Sequence, residues 1–214
     1  MRKRSVRTIL NYKQRVYRFT GEWLDNFGTP EVGSKWMIWG PSASGKSSFV
    51  MQLAKYMTQF GRVMYVADEE GLGAKSLQMR LDRNEMRKCG NRFVVVDETS
   101  LADLIDVMSK PRGASIYIFD SWQTMNFTYE EYRLLCKKFP KKTMIWVSRE
   151  DRGEPMGNSA RKAKYDCDVK IYVKGYAAKC LGRFTPEAGK EYVIWQEGYV
   201  NLGKGIQTIK QQQL

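Results

Sequence analysis

The sequence contains no histidine, and its four cysteines, Cys89, Cys136, Cys167 and Cys180, form no CxxC pair. Together these absences exclude the usual ligand sets of zinc fingers and zinc hydrolases, so no zinc is expected. Scattered cysteines suit a reducing compartment, and a cytoplasmic location follows as the expectation. No apolar run approaches the ~20 residues a membrane-spanning helix requires, so no membrane association is expected. The start, "MRKRSVRTILNYKQRVYRF", lacks the long apolar segment of a secretory signal. It also lacks acids, since residues 1–20 hold seven basic residues and no Asp or Glu. Mitochondrial presequences share that composition, but the aromatics fit a folding or docking arm better.

Charge is plentiful, and most of it is positive. The 214 residues carry a formal net charge of +13, with a pI of about 9.6. A basic excess of this size favours a polyanion partner, chiefly nucleic acid. Hydrophobic residues make up 43% of the chain, enough for a packed core.

Strand and helix patterns alternate along the chain. Apolar runs at 35–39, 62–66, 92–96, 115–119 and 143–147 read as buried strands. Between them, 47–58 and 74–88 read as helices, and Ser100 caps a helix burying Leu101, Leu104, Ile105 and Met108. Thr128 and Glu131 form a capping box for another. A weak apolar stripe of Val6, Ile9, Leu10 and Tyr12 allows a short helix near the start. Short apolar strands alternating with amphipathic helices predict a parallel α/β sheet. After residue 167, "DVKIYV", "AAKCLGRF" and "EYVIWQ" read as strands between turns, hence an antiparallel extension. The expected layout is a basic arm over 1–20, a core over 21–204 and a polar tail over 205–214.

One motif stands out. Gly40, Gly45, Lys46 and Ser47 satisfy G-x-x-x-x-G-K-[ST] between a predicted strand and a predicted helix, the context a phosphate-binding loop requires. Gly40, Pro41, Ser42, Ala43, Ser44, Gly45, Lys46, Ser47 and Ser48 would wrap the phosphates of ATP, with the helix N-terminus facing the anion. Lys46 would reach the β and γ phosphates, and the Ser47 hydroxyl would bind Mg²⁺. Asp120, ending the apolar strand "IYIFD", supplies the second metal position. Hydrolysis needs a group to orient water, and Glu69, then Glu70, come after the second strand; a solvated acidic turn is the plainer alternative. Ser148, ending the fifth strand, is a candidate γ-phosphate contact.

These pieces in order resemble the RecA-like ATPases, most closely the core of the RadA/Sms repair family. The residues carrying the likeness are "GPSASGKSS", "YVADEEG", "SLQMRLDR", "VVVDETSLADLIDVM" and "IYIFDSWQTM", and it spans roughly residues 20–198. The resemblance implies a RecA-like fold, Mg-dependent ATP hydrolysis stimulated by DNA, and a ring or filament of identical subunits. "REDRGEPMGNSARKAKYDCDVKIYV" is similar to the family's DNA-binding loop, the helix after it and the next strand. That similarity implies single-stranded DNA contact through Arg149, Arg152, Arg161, Lys162 and Lys164, against a merely solvated loop. "AAKCLGRF" resembles the hairpin whose Lys and Arg reach a neighbour's γ-phosphate, which points to Lys179 and Arg183. Here three residues separate them instead of one, so which would arrive stays open.

The departures are also informative. The family's zinc finger and protease-like domain have no counterpart in this sequence, and Ser148 stands where the family has His. The expected function is therefore a DNA-dependent ATPase of recombination, repair or replication. A KaiC-like regulatory module with slow turnover is the alternative, and a small-molecule phosphotransferase is a weaker one.

Overall fold

The computed structural model describes residues 3–67, 71–97, 99–185 and 190–202. Nine strands among the described residues build one sheet around a parallel centre. In chain order these are β1 (Lys35–Gly40), β2 (Val63–Val66), β3 (Phe93–Val96), β4 (Ile116–Asp120), β5 (Thr143–Asp151), β6 (Glu154–Pro155), β7 (Val169–Lys174), β8 (Ala177–Cys180) and β9 (Glu191–Val193). The helices are α1 (Val6–Leu10), α2 (Gly21–Phe27), α3 (Lys46–Met57), α4 (Lys75–Arg83), α5 (Leu101–Ser109), α6 (Trp122–Met125), α7 (Tyr129–Lys138) and α8 (Asn158–Asp166). The strands lie in the order β3-β2-β4-β5-β1-β7-β8-β9, with the short β6 paired to β5 alone. From β3 to β7 every pairing is parallel, and β8 and β9 add on antiparallel. The fold is thus α/β, a mostly parallel sheet flanked by helices with an antiparallel extension, as the strand pattern predicted.

Residue parity along the strands explains the two layers. Trp36 and Ile38 of β1 point to one face, where they meet Phe49, Leu53 and Met57 of α3, Leu77 of α4 and Phe27 of α2. Met37 and Trp39 point to the other, against Leu104 and Met108 of α5, Tyr132 and Leu135 of α7 and Ala160 and Ala163 of α8. All six residues of β1 are buried, as a central strand covered on both faces must be.

Several boundaries differ from the sequence reading, each for a local reason. The core begins before residue 21, because Tyr17 and Phe19 are each only 3% exposed. Tyr17 Oη bonds Thr143 Oγ1 at 2.8 Å, and the Phe19 ring packs edge-on to Tyr56 at 5.1 Å. By contrast α1 carries its apolar stripe outward, with Val6 and Leu10 72% and 78% exposed. The helix expected over 74–88 stops at Arg83. Glu85 takes a left-handed φ of 54°, and Met86–Arg92 continues as a 3-10 stretch. The strand expected through "EYVIWQ" ends at Val193, and 196–202 are helical. β5 runs four residues beyond Val147, turns at Arg152-Gly153 and returns as β6. The polar tail from 203 onward lies outside the described residues.

Candidate active site

The glycine loop leaves β1 at its C-terminal end and enters α3. Gly40 is required by crowding: a Cβ there would sit 1.9 Å from the carbonyl oxygen of Val173 on β7. Gly45 is required by conformation, with φ +90° at the N-cap of α3. The first helical bond runs from Phe49 N to Gly45 O at 2.9 Å, so the N–H groups before it have no helical carbonyl to meet. The turn between β7 and β8 braces the loop, since Tyr176 N donates to Ser44 O at 3.0 Å. Ser44 Oγ is buried and has no hydrogen-bond partner among the described residues. A loop of this kind, carrying a positive helix end, is built to hold an anion.

Beside it lies a cleft of about 190 Å³ at the C-terminal edge of the sheet. The loop contributes Ser42, Ala43, Lys46 and Ser47, β4 ends in Asp120 and Ser121, and β5 contributes Arg149. Tyr65 and Ala67 of the second strand and Arg80 of α4 complete the described lining. Register explains the convergence. Gly40 pairs with Arg149 and Asp120 with Val147, so β5 lies between the loop strand and the acid strand. Asp120 is 8% exposed, and the Tyr65 hydroxyl donates to its Oδ2. Arg80 Nη1 lies 3.9 Å from the same oxygen and donates to Tyr65 Oη at 3.3 Å. Burial first, and then the Asp120 carboxylate, hold the Tyr65 phenol well above its ordinary pKa, so it stays protonated as a donor.

No family model matches the sequence, and no curated protein matches it. Among solved structures, the flagellar accessory protein FlaH from Methanocaldococcus jannaschii is similar with a TM-score of 0.59. The sequences are 16% identical over 84% of this chain and 93% of that one. The fold is RecA-like. At this identity the likeness is one of architecture, and the chemistry of the RecA-like sheet edge rests on the residues themselves.

The RecA-like frame disperses the other candidates. Glu69 and Glu70 lie outside the described residues. Ser148 is fully buried and absent from the described cleft lining; its Oγ accepts from Gln123 Nε2 at 2.8 Å and donates to Arg149 O at 2.8 Å. Gln123 in turn accepts from Arg149 N at 3.0 Å, so this pair braces the backbone beneath the cleft. Pro41 is half-buried in the loop, and Ser48 faces a second cavity of about 580 Å³ with Gln52, Tyr176 and Trp195. Lys179 lies on β8 opposite Tyr172 and Glu191. Arg183 pairs with Asp168 at 3.7 Å, next to Lys35 at the N-terminal edge of the sheet. Both are therefore away from their own chain's glycine loop.

The five basic residues expected at DNA divide as well. Arg149 lines the cleft. Arg161 pairs with Asp151 at 2.7 Å and Lys164 with Glu154 at 2.6 Å, locking α8 to the β5–β6 hairpin. Lys164 also lies 4.4 Å from the Trp39 ring centre, and Trp39 Nε1 donates to Gly153 O at 2.9 Å. Arg152 at the hairpin tip and Lys162 on α8 are exposed. The sequence reading passed over Tyr65, Arg80 and Gln123. For Arg80 a signal existed: it stands three residues after the buried Leu77, on the inward face of α4.

Proposed function

We propose that the chain binds ATP with Mg²⁺ in this cleft and hydrolyses it, as a RadA-like protein acting on single-stranded DNA in a ring or filament. The observation that carries the reading is the convergence of Lys46, Ser47 and Asp120 on one cleft at the N-terminus of α3. Backbone N–H groups of the loop and the Lys46 ammonium hold the phosphates. The Ser47 hydroxyl and the Asp120 carboxylate are the oxygen donors Mg²⁺ takes, so the residues present fit that ion. Bound there, Mg²⁺ neutralises charge on the β and γ phosphates. Glu69, with Glu70 as the second candidate, orients the attacking water and accepts its proton.

For the nucleic acid, the support is the net charge of +13 and the exposed Arg152 and Lys162. Tyr165, 74% exposed on the same helix, is placed to stack on a base. The deciding experiment is the ATPase rate with and without single-stranded DNA across a salt series. Stimulation that falls steeply with salt supports the reading, because phosphate contacts release counterions. Slow, DNA-insensitive turnover with nucleotide-dependent assembly would replace it by a KaiC-like switch. Phosphate transfer to a nucleoside monophosphate would replace it by a phosphotransferase.

A further inference from the structure

Arg80 is an unusual residue for its position. Its helix, α4, packs on the sheet through Leu77, which is 2% exposed. Arg80 shares that inward side, its side chain only 19% exposed. Removing a guanidinium from water is costly unless an anion meets it. In this structure the anion is Asp120, at 3.9 Å, with the Tyr65 hydroxyl bridging the two. Yet Asp120 is also the carboxylate with which the cleft would hold a divalent cation. Two cations cannot share one carboxylate oxygen at close range without strong repulsion. Once Asp120 is engaged by the metal, Arg80 needs another anion. The metal bridges the β and γ phosphates, so the anion beside Asp120 is the terminal phosphate.

We infer that Arg80 is the cleft's own ligand for the terminal phosphate, serving as counter-ion of Asp120 here and of the γ-phosphate in the ATP complex. This rests on the nucleotide reading and deepens it. The γ-phosphate's charge is then met from within the same chain by Lys46 and Arg80, whatever a neighbouring subunit adds. Exchange of Arg80 between two anions also gives α4 a reason to respond to the nucleotide, because Arg80 is part of it. A guanidinium suits both partners, since its planar fork bonds carboxylate and phosphate alike.

The test is binding of ATP and ADP, each with Mg²⁺, to the full chain and its Arg80 variants, read by calorimetry. A charged hydrogen bond to phosphate contributes ~10-fold or more in affinity. Arg80→Ala is therefore expected to weaken ATP by at least ~10-fold while leaving ADP within ~2-fold. Arg80→Lys keeps a charge without the fork and should recover part of the preference for ATP. If ATP and ADP weaken in equal proportion, or neither changes, Arg80 is only a structural counter-ion and the inference is overturned. Should Arg80→Ala fail to fold, Arg80→Lys decides, because an undiminished ATP-to-ADP ratio in it also overturns the inference. Wild-type chain that binds neither nucleotide would overturn the nucleotide reading itself, and this inference with it.

Discussion

Gly40 shows how one residue can set a site. The position tolerates no side chain because β7 passes so close that a Cβ would lie 1.9 Å from Val173 O. Gly40→Ala is thus expected to spread β1 from β7, lowering stability by ~1–3 kcal/mol, as overpacking does. It should also distort the loop, so the denaturant midpoint and nucleotide affinity should fall together. An alanine variant with wild-type midpoint and affinity would refute this. The motif pattern already marked Gly40, but as a residue wrapping phosphate. That its neighbour is a strand carbonyl is a fact of sheet order. Tyr65 gives the converse case. In "RVMYV" it reads as one more strand residue, and only the alignment of β2 with β4 brings its hydroxyl to Asp120.

Among the elements, α7 was the most legible. Its capping box is present as expected, with Thr128 Oγ1 accepting from Glu131 N at 3.2 Å and Glu131 Oε2 accepting from Thr128 N at 2.8 Å. Thr128→Ala should cost ~1 kcal/mol of stability, the usual loss for an N-cap. Because α7 packs on the sheet face opposite α3, nucleotide affinity should stay unchanged. Urea unfolding and nucleotide titration of the same variant check both parts, and a loss of affinity would show that the layers are coupled. The β5–β6 hairpin was less legible. Its mixture of acids and bases reads as a loop with diluted positive charge. Tertiary pairing of Asp151 with Arg161 and Glu154 with Lys164 makes it a braced extension of the sheet. Sequence separations of ten residues across a turn give no periodic signal, so the pairing could not be foreseen.

At the scale of the whole molecule, the N-terminal segment divides in two. Residues before Arg15 carry the exposed α1, whereas Tyr17 and Phe19 fill the core beside Phe60 and Trp36. Deleting 1–14 should leave the thermal midpoint nearly unchanged and, on the DNA reading, flatten the salt dependence of DNA stimulation. Deleting 1–19 removes two buried aromatics, each worth ~3–5 kcal/mol, and should abolish the folding transition. Equal midpoints for both deletions would contradict the burial of Tyr17 and Phe19. Assembly offers a second prediction. If Arg183 acts on a neighbouring subunit, mixing Arg183→Ala chains with Lys46→Ala chains should restore ATPase activity, since some interfaces then carry both intact halves. No recovery on mixing would exclude a shared site.

By itself the sequence determined what depends on neighbours along the chain. Strand and helix alternation, two capping boxes and the Gly40–Ser47 loop arise from local periodicity and from residue chemistry at short spacing. Tertiary structure decided what depends on strand order. Inserting β5 between β1 and β4 brings Arg149 into the cleft with Lys46 and Asp120, and the return of α4 over the sheet adds Arg80. These contacts join residues tens of positions apart, through hydrogen bonds between strands that any apolar run can make. Their partners are chosen by packing across the whole sheet, which no local spacing encodes.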